Sequence, residues 1–290
     1  MLSRGLCVLG FVALAAGAAR AQRPGQGDDE SAALVDEGRA ALRNGKLDDA
    51  AKALDQALAL NPRRVEAYVL RSAVYAARKQ YKQGIELMQR AQQLAPTDEE
   101  VLTALGSQLV LSGDTGTGVP LLVQVTSKNA GRYDAQLLLG HHFHDAGKWS
   151  ESITAFEAYF KARPKGLAGE DPRHRVDLAD SYLRSRQPKP ALVLFKQALD
   201  EQSRSRKGND DVRARIGVAW ATAAIDCRKA RPLLEQLEPI ALAYPEVWLV
   251  DGQCALSLGD LTGALALGRK YLDKSGERRT RSSAEGDAKS

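Results

Sequence analysis

The chain has 290 residues, 44% of them hydrophobic and only 6% aromatic, with a formal net charge of +5. That length allows a large buried core, and abundant Ala and Leu suit helices stacked through small residues. Acidic and basic residues are interspersed along most of the chain, which excludes the concentrated basic footprint of a nucleic-acid-binding protein.

Met1–Ala21 reads as a secretory signal. Arg4 gives a short positive start, Gly5 to Ala18 is apolar, and Ala19-Arg20-Ala21 is a small-x-small cleavage site. The apolar run is too short to span a bilayer, so the mature chain is predicted to begin at Gln22 and not to span a membrane. An uncleaved anchor is the alternative. Cys7 lies inside the run and no Cys sits at the cleavage point, which argues against a lipid anchor there. The destination is an oxidising compartment, read as a bacterial periplasm. Gln22–Glu30 is polar, with Gly and Pro, and is expected to be a flexible lead-in.

From Ser31 the apolar pattern has helical spacing and repeats every 34 residues. The periods are 31–64, 65–98, 99–132 and 133–166 without insertion. After Leu167–Asp171 comes 172–205, and after Arg206–Asp210 come 211–244 and 245–278. Small residues recur at the eighth place (Gly38, Gly106, Gly140, Ala179, Gly252). Large ones recur at the twenty-fourth (Leu54, Met88, Leu122, Phe156, Phe195, Leu234). Each period breaks in its middle, where two antiparallel helices would turn. Pro120 and Pro232 fall near the start of a second helix, where a proline removes few backbone donors. Residues 279–290 are charged and Ser-rich and are expected to be a disordered tail.

The fourth period carries the clearest signature. Leu139-Gly140, Phe143, Phe156 and Pro164 match the tetratricopeptide repeat pattern, with Ser152 where Ala is usual. The chain therefore resembles the tetratricopeptide repeat (TPR) family. The resemblance implies an all-α, right-handed α-solenoid of about seven helical hairpins with a concave inner surface. In that family the groove is lined by places 2, 5, 6, 9, 12 and 13 of the first helix. Carried over to this sequence, those places give Val69, Leu70, Ala73 and Ala77, then Ser107 and Leu111, then Leu137, Leu138 and His141. The family's carboxylate clamp is not matched, because its places hold Val35, Arg39, Leu70, Glu100 and Ala104.

His141, His144 and Asp145 share one helix face and are weak candidates for a transition metal; polar groove lining is the alternative. Cys227 and Cys254 are the two cysteines left after signal cleavage and form a disulfide candidate, with unpaired thiols as the alternative. No phosphate loop, nucleophile elbow, zinc-protease or Cys-x-x-Cys motif is present, so neither catalysis nor a cofactor is expected. The leading functional expectation is a non-enzymatic scaffold in the cell envelope that binds a protein or peptide partner. The alternatives are a periplasmic small-ligand or metal-binding protein, or a regulatory subunit of an envelope enzyme or of a secretion, pilus or polysaccharide assembly.

Overall fold

The computed structural model describes residues 26–164, 171–204 and 212–287. The predicted signal at 1–21, the first residues of the lead-in, most of the first insertion and all of the second lie outside them. The chain divides into two compact units, Met1–Ala104 and Leu105–Ser290, the division falling within the fifth helix.

Each period holds two helices. They are α1 (Gln26–Arg43) with α2 (Leu47–Leu60), α3 (Val65–Ala77) with α4 (Tyr81–Leu94), and α5 (Glu99–Ser112) with α6 (Thr115–Lys128). Next come α7 (Tyr133–Asp145) with α8 (Trp149–Ala162), and α9 (Pro172–Arg184) with α10 (Pro188–Arg204). Last are α11 (Val212–Ile225) with α12 (Cys227–Leu237), and α13 (Glu246–Ser257) with α14 (Leu261–Asp287). A single 3-10 turn follows α12 at Glu238–Ile240. The fold is all-α, with no strand among the described residues.

The turn inside a hairpin has one recurrent requirement. Gly45, Lys79, Gly113, Gly147, Arg186 and Gly259, all at the fifteenth place, have φ between 58° and 96°. A residue in the left-handed conformation lets the chain reverse in few residues, and glycine adopts it without a Cβ penalty. The sixth hairpin departs from this. Asp226 alone separates α11 from α12, and its carboxylate caps α12 by accepting from the Arg228 N–H at 3.0 Å.

Inside the hairpins the eighth and twenty-fourth places touch. A Cβ on Gly38 would lie 2.6 Å from Leu54, one on Gly106 2.8 Å from Leu122, and one on Gly140 2.8 Å from the Phe156 ring. Ser152, the departure from Ala in the fourth period, is fully buried. Its hydroxyl donates to the Gly140 carbonyl at 3.0 Å and pairs with the Ser181 hydroxyl at 2.9 Å. It thus ties α8 to both α7 and α9. Pro120 and Pro232 lie within α6 and α12, each forgoing one intrahelical hydrogen bond while the helix continues.

Both ends of the helical array exceed the periodic pattern. The lead-in was expected to be flexible to Glu30, yet α1 starts at Gln26. Asp28 explains the extra turn: it accepts from Asn61 Nδ2 at 2.6 Å through its carboxylate and from Arg64 at 2.8 Å through its carbonyl. At the other end α14 runs to Asp287, where a disordered tail was expected from 279. That segment has no proline and contains Arg, Ala and Glu, all compatible with helix. Cys227, at the start of α12, and Cys254 in α13 are disulfide-bonded, with Cα atoms 5.1 Å apart. The bond joins the sixth hairpin to the seventh.

Candidate functional site

The polar chemistry of the second unit gathers on its first helices. In α9 the spacing of His174, Asp177, Asp180 and Arg184 places all four along one helix face. In α7, His141 and His144 lie one turn apart. His144 Nε2 is 3.1 Å from Asp180 Oδ2, and Arg213 Nη2 of α11 is 2.6 Å from Asp177 Oδ1. Both contacts span 36 residues, and His141 Nδ1 meets Asp177 Oδ2 at 3.3 Å across the same spacing. The ladder is therefore regular: each rung joins a place in one repeat to the place three earlier in the next.

His141 Nε2 also lies 3.0 Å from His174 Nδ1. An ionised Asp177 can only accept, so the His141 Nδ1 facing it is the donor. Burial pushes the Asp177 carboxyl up. Hydrogen bonds from His141 and Arg213 outweigh it and hold the group below the ordinary carboxylate range. Burial and the neighbouring His141 push His174 down.

This arrangement redistributes the proposed metal trio. His141 turns to His174 and Asp177, while His144 sits between Asp180 and Asp145, whose Oδ1 is 3.4 Å from its Nδ1. Among the described residues no group of three or more His, Cys, Asp or Glu side chains is arranged to hold a metal ion. His141 and His144 had neighbours on the next helix that competed for them.

The Asp180 hydrogen bond raises the pKa of His144 despite burial. For Asp180, burial raises the carboxyl, but His144 and Arg184 together bring it below its usual range. A raised histidine stabilises fully below its unfolded pKa of about 6.5 and loses that contribution as pH climbs through the higher folded value. A depressed aspartate contributes above its unfolded pKa of about 3.9 and fades as pH falls through the lower folded value. The His144–Asp180 contribution is therefore largest between those two limits. His144→Gln is expected to cost on the order of 1 kcal/mol in that window and less in mild alkali. Urea melts across pH check this, and an equal loss at every pH would contradict it.

Beside the ladder an open cavity of about 510 Å³ is lined by residues of α7, α9, α10, α11, α13 and α14. Phe195, Ile216 and Leu249 supply apolar surface, and Arg213 and Glu246 supply opposite charges. Arg184 is held from three directions. Its Nε donates to Asp180 Oδ2 at 2.9 Å, and its guanidinium carbon is 5.4 Å from the Trp149 ring centroid and 5.5 Å from that of Trp220. Two aromatic faces and a carboxylate fix a guanidinium at the cavity wall, where its side chain remains 44% exposed.

The groove residues carried over from the family pattern are placed as follows. In the first unit Val69 and Leu70 are half-buried, Leu70 packing on the α1–α3 core, and Ala73 and Ala77 are exposed. In the second unit Leu111 is exposed, and Ser107, Leu137, Leu138 and His141 are half-buried. Of these only His141 joins the polar ladder. The cavity lies further along, yet Val176, Asp180, Leu183, Arg184, Ile216, Glu246 and Leu249 occupy the same first-helix places in the fifth to seventh periods. The signal was present; it had been read only in the second to fourth periods.

Stacked hairpins presenting an ordered ladder and an open cavity define a helical-repeat protein of the kind that scaffolds protein–protein interactions. The tetratricopeptide repeat family model matches residues 35–99 and 223–278, and these stretches are tetratricopeptide repeats. Among solved structures it is similar to YrrB, a TPR protein with an unusual peptide-binding site, at 19% identity and a TM-score of 0.45, over 64% of this chain and 91% of that one. It is also similar to MamA, at 21% identity and TM-score 0.46, over 63% and 97% of the two chains. A tetratricopeptide repeat protein from Parabacteroides merdae aligns over 85% of this chain and 93% of that one, at 13% identity and TM-score 0.48. No curated protein matches the chain.

Proposed function

We propose that this protein is a non-catalytic scaffold of the cell envelope that seats a segment of a partner protein in the cavity of its second unit. The observation that carries the reading is Arg184, a guanidinium fixed by Asp180, Trp149 and Trp220 at the edge of an apolar cavity. A pre-organised arginine loses little entropy on engaging a partner's polar group, and the adjoining Phe195 and Leu249 suit an apolar anchor. Export is supported by the signal-like pattern of residues 1–21 and by the Cys227–Cys254 bond, which an oxidising compartment would maintain. Among the described residues no helix is long and apolar enough to cross a membrane.

Crosslinking capture from native envelope fractions tests this reading. The Arg184→Glu and Trp220→Ala variants are expected to lose the partner by about tenfold or more while keeping wild-type helicity. Ala73→Glu and Leu111→Glu probe the other groove candidates at exposed positions, where a charge does not disturb the core. Capture lost only in the latter pair would move the interface to those residues. Capture unaffected by all four would remove both faces from consideration.

A further inference from the structure

Two contacts of the ladder join α7 to α9, and acid acts on them in opposite senses. One lies at the start of α9. His174 stands in the first turn, just past the Asp171 cap, and its Nδ1 is 3.0 Å from His141 Nε2. The other lies nearly two turns on. There Asp180 Oδ2 is 3.1 Å from His144 Nε2 and accepts from Arg184 Nε at 2.9 Å.

A hydrogen bond between two ring nitrogens holds one proton, whichever ring donates it. A second proton in that contact sets N–H against N–H, and the bond is lost. The charge that arrives with it is poorly placed at His174. The ring is half-buried, and a cation in the first turn faces the positive end of the α9 dipole. Arg173 adjoins it in sequence, and His141 faces it from α7. The α8 neighbour is the neutral Tyr159 ring, edge-on at a centroid distance of 5.8 Å. The nearby carboxylates already have partners. Asp171 accepts from Arg173 Nε at 2.8 Å, and Asp177 takes His141 and, from α11, Arg213. Glu201 of α10 is engaged by Arg175.

His174, held below the ordinary histidine range by burial and by His141, therefore contributes stability above its unfolded pKa of about 6.5 and loses it as pH falls through the lower folded value. His144 behaves in the reverse way. Its proton faces Asp180 and Asp145, so acid strengthens that contact until the aspartates themselves titrate, below about pH 3.9.

We infer that the His141–His174 contact is an acid-released latch: in mild acid both rings take up protons, His174 leaves its place beside His141, and the first turn of α9 parts from α7 while the His144–Asp180 contact holds the rest of the helix as a pivot. The two contacts lie about 9 Å apart along α9, at 1.5 Å per residue, which is far enough for one end to open alone. A second tie on the pivot side is indifferent to pH, since the Ser181 hydroxyl meets that of Ser152 in α8 at 2.9 Å. Asp180 and Arg184 stand at and beyond the pivot, so the cavity wall keeps its arrangement when the latch opens.

Hydrogen exchange of the purified protein at about pH 7.5 and about pH 5, corrected for the intrinsic pH dependence of amide exchange, tests the latch. The wild type is expected to lose about tenfold or more of its protection in the first turn of α9 at the lower pH, while Asp180–Arg184 keep theirs. His174→Gln carries no charge at either pH and its amide can still bond His141, so it should hold the same protection at both. A wild type with no loss at the lower pH would overturn the latch, as would an equal loss in His174→Gln. A loss spread evenly along α9 would overturn the pivot. Ring titration by NMR gives a reading that needs no variant. His174 is expected to titrate below about 6.5, and a His174 that titrates at or above that value would overturn the latch.

Discussion

Replacing Phe156 by alanine is expected to cost about 3–5 kcal/mol, the largest loss from a single apolar substitution that the fourth hairpin should show. The ring is fully buried, packs with Ile153 and Leu178, and closes against Gly140. It also meets the His141 ring edge-on at a centroid distance of 5.0 Å, so the change also removes packing beside the polar ladder. The partner glycine gives a sharper test than the loss alone. Gly140→Ala improves intrinsic helix propensity by about 1 kcal/mol, but its methyl would sit 2.8–2.9 Å from three ring carbons. With Phe156 present the overpacking, about 1–3 kcal/mol, should prevail and Gly140→Ala should destabilise. In the Phe156→Ala background the methyl enters vacated space, and the same change should stabilise. A reversal of sign across the double-mutant cycle, read from denaturant midpoints, is the expected result. Additive effects would mean that the two positions do not share the space the structure assigns to them.

The same pair shows why the repeat architecture was legible in the sequence. A glycine or alanine at the eighth place and a bulky residue at the twenty-fourth encode a local contact within one period, and repetition shows the rule several times. The paired sulfurs of Cys227 and Cys254 could be proposed from their parity, though their separation of 5.1 Å between Cα atoms could not be deduced. The polar ladder was harder to read. His144 finds Asp180 in the following period, so its partner depends on how the Leu167–Asp171 insertion resets the register. Reading His141, His144 and Asp145 on one helix gave a plausible trio whose two histidines are engaged by the next helix. The cavity was missed for a related reason: it draws residues from six helices, several at places where one hairpin alone shows only an unremarkable Arg or Leu. The extra turn of α1 rests on Asp28 meeting Asn61 and Arg64, contacts outside the periodic pattern.

Removing the disulfide with Cys227→Ala/Cys254→Ala is expected to cost about 3–4 kcal/mol, from the loop entropy that a 27-residue separation restores to the unfolded chain. The sixth hairpin is where such a constraint matters most. It lacks the left-handed turn of its neighbours, its α12 has only 11 residues, and that helix contains Pro232. What else holds α12 is a modest apolar set, Ala230, Leu234 and Leu237, packed with Ile216 and Trp248. Cys254 is itself 1% exposed, so alanine is the suitable replacement; serine would add the cost of burying a hydroxyl. Trp248 provides a local reporter, because its indole N–H donates to Glu238 at 2.9 Å just beyond α12. Its fluorescence should change at lower denaturant in the variant, while the Phe156 cycle keeps its sign reversal. Thiol labelling of the native protein then connects stability to location. Cys227 and Cys254 are expected to take up label only after reduction, as a chain matured in an oxidising compartment would. If both label without reductant in material taken from its native compartment, the 3–4 kcal/mol is not available to the protein, and the disulfide no longer supports export.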